Sequence, residues 1–182
     1  MIPAVAQTLA EILAGGTSLI DIESIDLNHP SIDRPGGPRL NLYCYNLWQS
    51  QHEPSAEFSR SDTSDVRGAS PKENRDSTIW FDVSFLVTAW DHTALGEQRL
   101  LSEALTRLLS YRFVPEDLLE PSLRGHGELQ MRICVGGAID TASLWRALGV
   151  PLRPALYVTI AVPAIVEPQS SPGRSLSLTP SP

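Results

Sequence analysis

The chain has 182 residues, is 42% hydrophobic and 19% charged, and carries a formal net charge of −7 with a single lysine, Lys72. That length suffices for one domain burying roughly 70% of its unfolded surface, so neither a disulfide nor a metal is required to hold it. The acidic balance argues against nucleic acid or an anionic membrane as the main partner, because both call for clustered positive charge.

Residues 1–16 lack a positive n-region and carry Glu11 inside their apolar stretch, unlike a secretory signal. No run approaches the ~18 apolar residues of a membrane span, so the expectation is a cytoplasmic chain without membrane insertion.

Ile2, Val5, Leu9, Ile12 and Leu13 recur at helical spacing, with Pro3 in the first turn and Gly15-Gly16 past the end. This predicts an amphipathic helix over 3–14. Apolar and acidic residues then alternate at Ile20, Asp21, Ile22 and Glu23, which predicts a strand with one wet face over 19–27. Proline and glycine make 29–38 a loop, and Arg39 to Trp48, rich in aromatic and branched residues, is expected to be a well-buried strand. Residues 50–77 hold almost no large apolar side chain beyond Phe58 and Val66, so they cannot offset their ordering entropy. They are expected to be a long polar loop, serving either as an interaction segment or as a tolerated insertion.

The pattern resumes at 78–90, where Phe81, Val83, Phe85, Val87 and Ala89 share one face and Asp82, Ser84 and Thr88 the other. This is the strongest strand signal in the chain. Asp91-His92-Thr93 supply capping groups for a helix over 94–110, carrying Leu101, Leu105, Leu108 and Leu109 and weakened by Gly96 in its first turn. Residues 113–121 have room for one short helical turn. A strand follows at 128–135, with Cys134 on its polar side and a turn at Gly136-Gly137. Asp140 caps a short helix through Leu148, ended by Gly149, and the last strand alternates Leu156, Val158, Ile160 and Val162. The Ser- and Pro-rich residues 164–182 are expected to be disordered.

The fold class is therefore α+β: a two-layer domain over 1–163, with a mixed or mostly antiparallel sheet of about five strands and helices on one face. The opposite face carries Asp, Asn, Ser and Thr and is either wet or used in assembly.

A search for chemistry finds no phosphate-binding loop, no GxGxxG after a strand, no nucleophile elbow and no HExxH. Asp91 and His92 lie where catalytic groups can occur, but a helix cap explains them better. His126 and Glu128 make only two ligands in a glycine-flanked loop, and Glu116-Asp117 look solvated. Cys44 and Cys134 have no zinc spacing and are expected to be reduced and buried. Trp48, Trp80, Trp90 and Trp145 lie near element ends, where either core-edge packing or an interface would suit them. No catalytic, metal or cofactor residue is assigned, and no enzymatic activity or cofactor is expected.

Four stretches, MIPAVAQTLAEILAGG, PRLNLYCYNL, WFDVSFLVTAWDHTALGEQRLLSEALTRLL and LWRALGVPLRPALYVTIAVP, together resemble the N-terminal domain of the cap, or tail-terminator, protein of extracellular contractile injection systems. The most specific parts are Leu86 to Trp90 followed by Glu97 to Leu105, and Leu144 to Leu156. The resemblance implies a structural subunit of a phage-tail-like particle. It would form a homo-oligomeric ring, expected to be a hexamer, that contacts tube and sheath and stops their polymerisation at the end distal to the baseplate. The alternative is an adaptor in the same particle, docking it to a membrane, an effector or another component through 50–77 or the tail. The segment 50–77 is long for the family, and the resemblance assigns it no role.

Overall fold

The computed structural model describes residues 1–15, 20–30, 37–50, 79–134 and 140–164. The expectations for residues 51–77, for the Gly136-Gly137 turn and for the tail from 165 onward lie outside these described residues.

Helix α1 (Ile2–Ala14) buries Val5, Leu9, Ile12 and Leu13, the residues whose spacing predicted it, and has a proline in its first turn. Strand β1 is only Ile25–Asp26, and β2 spans Arg39–Gln49. Strand β3 is Trp80–Trp90, and α2 (Ala94–Leu109) returns across the sheet. Beyond α2 come β4 (Phe113–Val114), two 3-10 turns at Glu116–Leu118 and Pro121–Leu123, and β5 (Leu129–Ile133). Helix α3 (Thr141–Leu148) and β6 (Leu156–Pro163) complete the elements.

The six strands form one sheet in the order β1-β2-β3-β6-β5-β4. All neighbours are antiparallel except β1 and β2, which run parallel through Ile25↔Leu40 and Asp26↔Asn41. The α+β class is as expected, but with six strands instead of five, because Phe113–Val114 pairs with Gln130 and Leu129, and with α3 on the face opposite α1 and α2 instead of all helices on one face.

Register assigns the faces. Leu40, Leu42, Val83, Phe85, Val87, Val158 and Ile160 lie on one side, and with α1 and α2 they make the main core. Two polar contacts lock the helical layer. Arg107 of α2 donates from Nη1 to the Leu13 carbonyl at 2.8 Å, placing a cation at the C-terminus of α1. The Thr8 hydroxyl accepts the Glu120 amide at 3.0 Å, which holds the second 3-10 turn to α1.

Three expectations are corrected. Residues 19–27 are not one strand: Ile22–Ser24 form a 3-10 turn, and only Ile25–Asp26 pair. The Asp21 backbone carbonyl accepts the Ser24 amide at 2.8 Å and closes that turn, while the Asp21 side chain makes no capping bond. The strand at Arg39 is buried only in its first half, and Leu47, Trp48 and Gln49 are exposed. Cys134 is exposed, with φ of 50°, because β5 stops at Ile133 before the alternation reaches it.

Candidate functional site: a cross-braced assembly module

The groups weighed for catalysis are occupied with local structure. Asp91 accepts the His92 amide and, at 3.4 Å, the Thr93 amide, while the Thr93 hydroxyl accepts Gly96 N at 3.0 Å and so caps α2. A Cβ at Gly96 would stand 2.1 Å from Asp91 Oδ2, so glycine there admits the carboxylate over the first turn. Glu116 accepts the Gly125 amide, and Glu120 accepts the Ser122 amide and hydroxyl. The bonds from Ser122 hold the Glu120 carboxyl below its usual range. His126 sits exposed between Gly125 and Gly127, both at positive φ. Among the described residues no three His, Cys, Asp or Glu side chains could together hold a metal ion. Both cysteines are free thiols, and partial burial raises the pKa of Cys44.

The tryptophans divide. Trp145 of α3 is buried and donates its Nε1–H to the Tyr157 hydroxyl at 3.1 Å, so α3 reaches the sheet face opposite α1 and α2. Trp90 is buried beneath the Arg153 guanidinium, which lies 3.5 Å from its ring centroid. Arg153 also pairs with Glu97 at 3.6 Å. Trp48, in contrast, is 66% exposed.

The contacts of Trp90 and Trp145 explain why the signature segments are what they are. Trp90 closes the LVTAW strand, Glu97 opens the EQRLL helix, and Arg153 belongs to LRPAL; one cation–π and ionic bridge joins all three. Trp145 and Tyr157 join LWRALG to the strand after it. The sequence reading located these segments but not the brace between them.

The opposite face is buried as well. Alternation along β2 places Tyr45 on it, edge-on to Tyr157 with ring centroids 6.3 Å apart, and the shift in register between Cys44 and Asn46 brings Asn46 opposite Ser84 on the same side. Burial pushes the Tyr45 hydroxyl pKa up, with a hydrogen bond from Ser84 acting against that rise. Ser84 and Thr159 share a hydrogen bond at 3.0 Å, Arg132 pairs with Asp82 at 2.5 Å, and Asn41 Nδ2 donates to the Asn28 carbonyl at 2.7 Å. The polar residues that suggested a wet face are largely bonded to one another.

What remains is a braced module without catalytic geometry among its described residues. A family described as the Pvc16 N-terminal domain matches residues 4–178. The chain belongs to this family. The Pvc16 match agrees with the resemblance read from the motifs, and it runs past residue 163, where the compact domain was expected to end.

Among solved structures, the fold is similar to a cryo-EM structure of the PVC sheath/tube terminator of an extracellular contractile injection system in its extended state. The TM-score is 0.57 at 17% identity, over 100% of this chain and 64% of that one. A cryo-EM structure of the anti-feeding prophage cap, the tube-terminating cap, matches at TM-score 0.49 and 15% identity, over 97% of this chain and 59% of that one. The Pvc16-family chain thus spans less than two thirds of the length of these solved proteins. No curated protein matches it. Among the described residues no helix is long and apolar enough to cross a membrane.

Proposed function

We propose that this protein is a non-enzymatic cap subunit of a contractile injection system, closing the baseplate-distal end of tube and sheath as a homo-oligomeric ring, expected to be a hexamer. The observation that carries this reading is family membership over residues 4–178, together with a fold like that of a sheath/tube terminator. A terminator needs one surface that fits the last subunit layer and a body that does not propagate it. A small α+β module tied by Trp90, Glu97 and Arg153 has the rigidity for both tasks.

Every copy adds −7 to the ring, so adhesion to tube and sheath rests on local fit instead of the overall field, and nucleic acid is not a partner. No cofactor is involved, and the protein works in the cytoplasm, built into the particle. Particles purified from a strain lacking the gene should be irregular in length and easily disrupted. Uniform, stable particles from that strain would refute the reading.

The adaptor reading has one observation in its favour. Leu47, Trp48 and Ile79 are exposed at the end of the sheet from which residues 51–78 leave and to which they return. Removing 52–76 would then abolish docking or loading but leave particle length normal.

A further inference from the structure

The two edges of the sheet, β1 and β4, are each only two residues long. Edge strands this short resist pairing with another chain, so any contact made there is made by side chains. Both edges nevertheless carry large exposed apolar groups. Beside β1, Ile22 is 53% and Leu27 50% exposed; at β4, Phe113 is 44% and Leu109, at the end of α2, 63% exposed.

The charges immediately beside Ile22 and Phe113 are opposite in sign. Exposed Asp21 and Glu23 flank Ile22, and neither forms an ion pair among the described residues. Arg112 flanks Phe113, with its guanidinium 5.9 Å from the ring centroid and likewise no ion pair among the described residues. The nearby carboxylate of Glu116 is engaged by the Gly125 amide.

We propose that the partner of each edge is the other edge of a second copy of this chain: Ile22 and Leu27 pack against Phe113 and Leu109 of the next copy, and Asp21 and Glu23 face its Arg112. This rests on the ring reading above and deepens it by naming the subunit contact. Like edges do not meet, because two β1 edges would set four carboxylates against one another, whereas unlike edges set the two carboxylates against one cation, Arg112. A contact between two unlike patches of one subunit is heterologous. Repeated at a rotation that divides a full turn, it closes into a ring.

The test uses the full chain in sedimentation velocity and native mass spectrometry. Wild type should assemble at high micromolar concentration, while Leu27→Asp and Phe113→Asp should each be monomeric with unchanged circular dichroism. Mixing these two variants in equal amounts should give a heterodimer that grows no further, since each keeps one intact edge. Arg112→Glu should dissociate the oligomer, and adding Asp21→Arg and Glu23→Arg to the same chain should restore it, which a merely misfolded variant could not do.

A monomeric wild type, an assembled Leu27→Asp or Phe113→Asp variant, or a mixture without heterodimer would overturn the inference. A monomeric wild type would leave the terminator reading standing, because that reading is judged by particle length. Normal particles from the deletion strain beside an intact ring in solution would do the reverse.

Discussion

Strand β3 belongs to two interiors. Toward α1 and α2 it presents Val83, Phe85, Val87 and Ala89, which meet leucines and valines in a continuous apolar core. Toward the other side it presents Ser84, Leu86, Thr88 and Trp90, and these are just as buried. That second interior is held by a different chemistry: the Ser84–Thr159 hydrogen bond, the Trp145–Tyr157 hydrogen bond, and the Arg153 guanidinium on Trp90. An apolar core adapts to substitution of similar volume, while a face built from oriented polar pairs fixes one arrangement, because each unpaired buried group costs desolvation energy. A subunit that must present an unchanging surface benefits from the second kind of packing.

Substitutions can break or sharpen this contrast. The largest effect is expected for Phe85→Ala on the apolar side: about 3–5 kcal/mol of lost stability, read as a lower urea midpoint with unchanged m. If the second face is a true interior, Trp145→Ala should cost about 3 kcal/mol, and a loss close to zero would show that face to be a surface. Ser84→Ala should cost about 1 kcal/mol in the wild type and less in a Thr159→Val background, where only its bond to the Tyr45 hydroxyl is left to lose.

An effect confined to α3 is expected in acid. Asp140 accepts hydrogen bonds from the Ser143 hydroxyl and, at 3.1 Å, the Ala142 amide, which together lower its carboxyl pKa. A group with a depressed folded-state pKa contributes stability that is present above its unfolded value and lost as pH falls through the folded one. Amides of α3 should therefore lose protection below about pH 4, and Asp140→Asn should flatten that dependence. The smallest effect is expected for Thr88→Val. Its buried hydroxyl has no hydrogen-bond partner among the described residues, so the change should fall within about 0.5 kcal/mol of zero.

The sequence disclosed the first interior far better than the second. Helices α1 and α2 and strand β3 were legible because a one-sided apolar pattern is a period, and the period survives without knowledge of partners. The 3-10 turn at Ile22–Ser24 was misread as strand because Ile20 and Ile22 alternate with acids, yet only Ile20 is buried. Strand β4 escaped notice since two residues have no period at all; Phe113–Val114 exists only by pairing with β5. On the second face, Ser84, Thr88 and Asn41 looked like solvent-facing residues because composition does not reveal which polar groups find each other. The braces are invisible for the same reason: Trp90, Glu97 and Arg153 stood in three separate motifs, and only tertiary structure brings them together.

The position of β6 has a kinetic consequence. The last described strand lies inside the sheet, between β3 and β5. While the chain emerges from a ribosome, β3 and β5 each wait with one edge unpaired until Leu156–Pro163 arrives. Folding is thereby deferred to the end of this stretch of synthesis, as expected where distant segments must meet before the sheet gains stability. A chain interrupted before Leu156 would lack the strand that joins β3 to β5.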